Sequence, residues 1–80
     1  MAFAKTEAEW AERASRHLKA ELKRAGLTYE DLADKLKKHG FKDETKASIA
    51  NKLARGTFTA TFFLASLAAM GIGAVQIEEL

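Results

Sequence analysis

Few residues in this 80-residue chain are equipped for chemistry. His17 and His39 are the only histidines, cysteine is absent, and the carboxylates include neighbouring pairs such as Glu30–Asp31 and Glu78–Glu79. General acid–base catalysis needs a titratable group held beside another that tunes it. Structural or catalytic metal sites need clustered ligands. The chain contains no HExxH, no phosphate-binding glycine loop and no Cys/His cluster. His17 falls at a helix edge, one position before Leu18. His39 adjoins Gly40 at a helix end, where the dipole favours an imidazolium. Both are expected to be structural, and no enzymatic activity, metal or cofactor is expected.

One stretch carries a different chemistry. Residues 46–58, KASIANKLARGTF, interleave Lys46, Ser48, Asn51, Lys52 and Arg55 with apolar residues at helical spacing. Asn can bond adenine bidentately, and Arg or Lys can bond guanine. The charge distribution agrees. Net charge is +2 overall, but residues 1–34 carry −1, residues 35–55 carry +5 and residues 56–80 carry −2. A local basic patch is the electrostatic footprint of a polyanion partner.

Glycines separate four helical segments that would position these side chains. The first spans about Thr6–Ala25, with Thr6 as N-cap, Gly26 as stop, and an apolar stripe of Trp10, Ala14, Leu18, Leu22 and Ala25. Glu12 and Arg16 form an i,i+4 pair of the favourable order. The second spans about Tyr29–Lys38, opened by a Thr28/Asp31 capping box, with Leu32, Ala33 and Leu36 inward. The third spans about Glu44–Arg55, with Asp43 as expected N-cap and Gly56 as stop. Ile49, Ala50 and Leu53 share its inner side. Glu44, Ala47, Ser48, Asn51 and Arg55 lie opposite, flanked by Lys46 and Lys52. The fourth spans from about Thr59 or Ala60 to Met70 and is apolar around most of its circumference, the pattern of a core or interface helix. Phe58 is expected to pack on Leu53 at the corner before it. In the tail, Val75 and Ile77 alternate with Gln76 and Glu78, which is the period of a strand.

No apolar run is long enough to span a membrane, and MAFAKTEAEW lacks the apolar core of a signal peptide. With no cysteine, the expected setting is the cytoplasm. A single domain of this size is only marginally stable alone, which favours self-association.

Three segments carry a family resemblance: LKRAGLTYEDLADKL at 22–36, SIANKLARG at 48–56 and FLASLAAMGI at 63–72. Together they resemble the Cro/C1-type (lambda-repressor-like) helix-turn-helix domains. Gly26, Thr28, Leu32–Ala33, Ile49, Gly56, Leu67 and Gly71–Ile72 occupy matching places. The chain also looks like a group of short bacterial proteins of unknown function that share the Arg-Gly-Thr-Phe segment, here Arg55–Phe58. It departs from the helix-turn-helix pattern in a longer connection, KKHGFKDE, in Tyr29 where Gln often stands, and in a third helix one residue longer.

The resemblance implies an all-α fold, a four- to five-helix domain over residues 1–72; the alternating tail over 73–80 is expected to pair as a strand in a dimer, to pack on the domain or to be disordered, since a lone strand does not stand in water. It implies a small dimeric transcriptional regulator that reads double-stranded DNA with its third helix in the major groove. Lys46, Ser48, Asn51, Lys52 and Arg55 would face the DNA, and Lys42 with Lys37–Lys38 would approach phosphates. Phe62, Phe63, Leu67, Met70, Val75 and Ile77 are the expected homodimer interface. The alternative is a module that kept the fold, lost the DNA and binds a protein partner.

Overall fold

Thr6 opens the first helix, α1 (Glu7–Ala25), by accepting from the Glu9 backbone N–H, and Gly26 closes it in the left-handed region at φ 71°. In a computed structural model, which describes residues 3–80, three further α-helices follow. These are α2 (Tyr29–Lys37), α3 (Lys46–Arg55) and α4 (Ala60–Ala69), and the chain ends in a short 3-10 turn, Ile77–Glu79. The protein is an all-α domain of four helices, with no strand among the described residues. Met1 and Ala2, part of the segment read as lacking a signal-peptide core, lie outside the described residues. No described helix is long and apolar enough to cross a membrane.

Each short helix begins on a threonine: Thr28 for α2, Thr45 for α3 and Thr59 for α4. The Thr28/Asp31 capping box forms as its spacing predicts. Its bonds from Thr28 hold the exposed Asp31 carboxyl below the usual carboxylate range, assisted by the charge of Lys35. At α3 the expectation is corrected: the cap is Thr45, not Asp43. Thr45 and Ser48 form a reciprocal box, with each backbone N–H bonded to the other's hydroxyl. The box aligns Thr45 with the helix start and leaves Asp43 and Glu44 outside it.

Both α3 and α4 pack against α1 and α2. The shared core is Leu18, Leu22, Leu32, Ala33, Leu36, Ile49, Leu53, Phe62 and Leu67. Full burial of a side chain of the Leu, Ile or Phe kind contributes about 1.5–3 kcal/mol, so these residues dominate the stability. Aromatic rings close one side. Phe58 lies 5.5 Å from Phe62 and stacks on Phe63 at 6.1 Å, and Phe41 meets Phe62 edge-on at 6.3 Å. The Phe58 ring thus joins a phenylalanine cluster, beyond the single partner Leu53 expected for it.

Other expectations need correction. In the α1 stripe, Leu18 and Leu22 are buried, but Trp10 is 40 % exposed and Ala25 lies outside the core. Phe62 and Leu67, expected at a dimer interface, are buried in the protomer's own core and offer no surface to a second copy. Phe63, Met70 and Val75 are half-buried against that core, while Ile77 is exposed. The outward side chain of α4 is instead Leu64, at 62 % exposure. The tail is not a strand: Val75 packs inward, the chain turns at Ile77–Glu79, and no second strand is present to pair with it among the described residues.

Candidate nucleic-acid interface

The outer face of α3 is set by what its inner face buries. Ile49 and Leu53 are in the core, which leaves Lys46, Ala47, Asn51, Ala54 and Arg55 exposed. All but Asn51 are small or carry a flexible cation, so the helix surface is low around Asn51. Lys42 and Lys38 are exposed on the connection that precedes α3, and Lys37 is exposed with a 3.4 Å ion pair to Asp34. Lys38, Lys42, Lys46 and Arg55 make no ion pair among the described residues.

Ser48 and Lys52 are differently placed from their expected role. Lys52 Nζ donates to Glu44 Oε2, and it also sits 4.7 Å from the centre of the Phe62 ring. Ser48 completes the helix cap and donates to Glu44 Oε1 at 2.7 Å. Both are half-buried and bound within the fold. Glu44, placed by its sequence position on the outer face, is only 9 % exposed. Burial pushes its carboxyl up. The bonds from Lys52 and Ser48, with the Lys52 charge, outweigh that and leave its pKa below the ordinary value. The positions 44, 48 and 52 step by four, so this internal ladder had a spacing signal, though Ser48 and Lys52 are the residues expected to face DNA.

The ladder has an electrostatic consequence. Glu44 is the one acidic residue in residues 44–55, and it is neutralised inside the fold. The exposed α3 face keeps Lys46 and Arg55, with Asn51 between them and no exposed carboxylate.

Behind this face, α3 is locked to α1. The Ser15 hydroxyl donates to the Leu53 carbonyl, and both residues are buried. Gly56, at φ 69°, ends α3 against Ala11, where an added Cβ would lie 3.1 Å from the Ala11 carbonyl oxygen. The Arg55–Phe58 segment is therefore the corner that seats the end of α3 on α1 and delivers Phe58 to the aromatic cluster. Trp10, on the wall of the cleft between α1 and the end of α3, stacks on Phe3 at 6.4 Å.

The histidines do not build a site. His39 is exposed, and His17 lies 6.4 Å from the Phe63 ring with its Nε2 buried and unpaired. Among the described residues, no group of three or more His, Asp or Glu is placed to hold a metal ion.

The fold and this face define a small all-α domain with a polar, non-acidic helix on its surface. The chain belongs to a family described as a domain of unknown function (DUF6471), whose model matches residues 10–75. The match takes in α1 from Trp10 onward, α2, α3 and α4 whole, and the Arg55–Phe58 corner. No curated protein and no solved structure matches the chain significantly.

Proposed function

We propose that this protein binds double-stranded DNA through the exposed face of α3 and acts as a small dimeric transcriptional regulator. The observation that carries the reading is the burial of Glu44 against Lys52, which leaves Lys46, Asn51 and Arg55 outward with no exposed acidic neighbour on the helix. Asn51 and Arg55 are the base-edge contacts, and Lys46, Lys42 and Lys38 serve the phosphates. Ser48 and Lys52 act indirectly, by fixing the start and the tilt of the helix. Charge-free Leu64 on α4, together with Ile77, supplies the surface for a second copy.

Fluorescence anisotropy on duplex DNA, titrated with salt, tests the reading. Binding weakens steeply as salt rises, because each neutralised phosphate releases counterions. The double variant Asn51→Ala/Arg55→Ala weakens binding by about tenfold or more. Absence of binding by the wild type at low salt overturns the proposal.

A second reading, a protein-interaction module on the same fold, is favoured by the exposure of Leu64 and Ile77. It requires a protein partner whose capture is unaffected in the Asn51→Ala/Arg55→Ala variant.

A further inference from the structure

An open groove of ≈1130 Å³ runs between α1 and the C-terminal end of α3, and its walls include Arg16 and Lys19 from α1 and Arg55 from α3. We propose that Arg16 and Lys19 form a second phosphate-contacting strip, which grips the backbone of the same duplex that α3 reads. This rests on the DNA-binding reading above and assigns to α1 a role that the regional charge conceals. Residues 1–34 sum to −1, but Glu30, Asp31 and Asp34 of that stretch belong to α2; α1 itself carries Arg13, Arg16, Lys19, Lys23 and Arg24 against Glu7, Glu9, Glu12 and Glu21, hence +1.

Three observations support the strip. Positions 16 and 19 are i,i+3 neighbours on one edge of α1, so their side chains are adjacent on the helix surface, and both are exposed. Their distance from α3 is fixed rather than adjustable: the Ser15–Leu53 hydrogen bond and the close approach of Gly56 to Ala11 bracket the contact between the helices. The cations are also accessible to a phosphate. Lys19 and Arg55 make no ion pair among the described residues, and the Arg16–Glu12 pair is long, at 3.8 Å, with both side chains largely exposed. Such a pair is weak in water, and a phosphate that reaches Arg16 can displace it. Glu7 and Glu12 line the same groove and repel phosphate. They confine the strip to the stretch around Arg16, Lys19 and Arg55.

The test is the salt dependence of duplex binding for wild type, Arg16→Gln, Lys19→Gln and Arg24→Gln. Arg24 lies on the same helix outside the groove, and its substitution removes the same unit of charge. Each groove variant lowers the slope of log K against log salt by about 0.9, by a similar amount on any sequence, while Arg24→Gln leaves it unchanged. Circular dichroism melts confirm that these exposed substitutions preserve the fold. If the wild type binds and Asn51→Ala/Arg55→Ala weakens it, but the groove variants keep the wild-type slope, the strip is refuted and the α3 reading stands. An equal slope change in all three single variants also refutes it, because the effect is then one of overall charge. Failure of the wild type to bind refutes both.

Discussion

Replacement of Glu44 by Gln tests the ladder that shapes the outer face of α3. The substitution keeps size and an acceptor for the Ser48 hydroxyl but removes the charge opposite Lys52. Truncation of a fully buried ion pair costs about 3–5 kcal/mol, whereas an exposed pair is worth about 0.2–1 kcal/mol. Glu44 is 9 % exposed, but the Lys52 side chain is 28 % exposed and can turn toward water. A hydrogen bond to a charged group contributes about 1.5–3 kcal/mol, and with the escape route of Lys52 the lower end applies, about 1.5 kcal/mol. For a domain of this size, a loss of 1 kcal/mol lowers Tm by about 4–8 °C, so the expected drop is about 6–12 °C. The pH dependence supplies the sign. The folded-state pKa of Glu44 is depressed, so its contribution is fully present above the unfolded value, about 4.3. That contribution is lost as pH falls through the lower folded-state pKa. The gap in Tm between wild type and Glu44→Gln should therefore hold from pH 7 to about pH 5 and close in more acidic solution. Thermal melts by circular dichroism across this range measure it. A variant that melts with the wild type at pH 7, or a gap that persists unchanged at the acid end, refutes the argument.

Further outcomes concern the corner and the surface. Gly56→Ala places a Cβ in the left-handed region, which costs roughly 1–2 kcal/mol, and sets it 3.1 Å from the Ala11 carbonyl oxygen. A total loss of about 2–3 kcal/mol is expected by urea denaturation, and a loss under about 0.5 kcal/mol would show that α1 yields freely at this contact. Leu64→Lys should leave Tm within a few degrees, because the side chain is exposed, while shifting a dimer to monomer in sedimentation velocity. A dimer unaffected by the substitution places the interface elsewhere.

Local signals were the legible part of this fold. Thr6, Thr28 and Gly26 act within a few residues of where they stand, and each cap formed where its spacing predicted. Asp43 failed as a cap because Thr45, two positions on, has Ser48 three residues later and can close a reciprocal box. The uniform apolarity of α4 could not say which side faced inward. Phe62 and Leu67 turned to the core and Leu64 to solvent because of where α1 and α2 lie, which is tertiary information. The same holds for Glu44 and for Phe41, half-buried in a connection that looked like an ordinary polar loop. The alternation in the tail reflected one inward residue, Val75, rather than a ladder of backbone hydrogen bonds. Asn51 and Arg55 were legible as outward residues because helical period alone assigns them to that side. The cationic excess of α1 was hidden in the regional charge because Glu30, Asp31 and Asp34 of α2 were summed with it.

The disparity in helix length bears on how the chain folds. α1 has 19 residues, whereas α2, α3 and α4 have 9, 10 and 10. At 1.5 Å per residue α1 is about 28 Å long, in a molecule whose longest dimension is 35 Å. Isolated helices below about 12–15 residues are marginal in water even with favourable sequences. α1 alone exceeds that limit, so it can be populated transiently before the chain collapses. The three short helices lack that option and gain persistence only by docking, which makes their formation and the assembly of the core one event. In this scheme α1 serves as the template on which the remainder of the protein, α3 included, condenses.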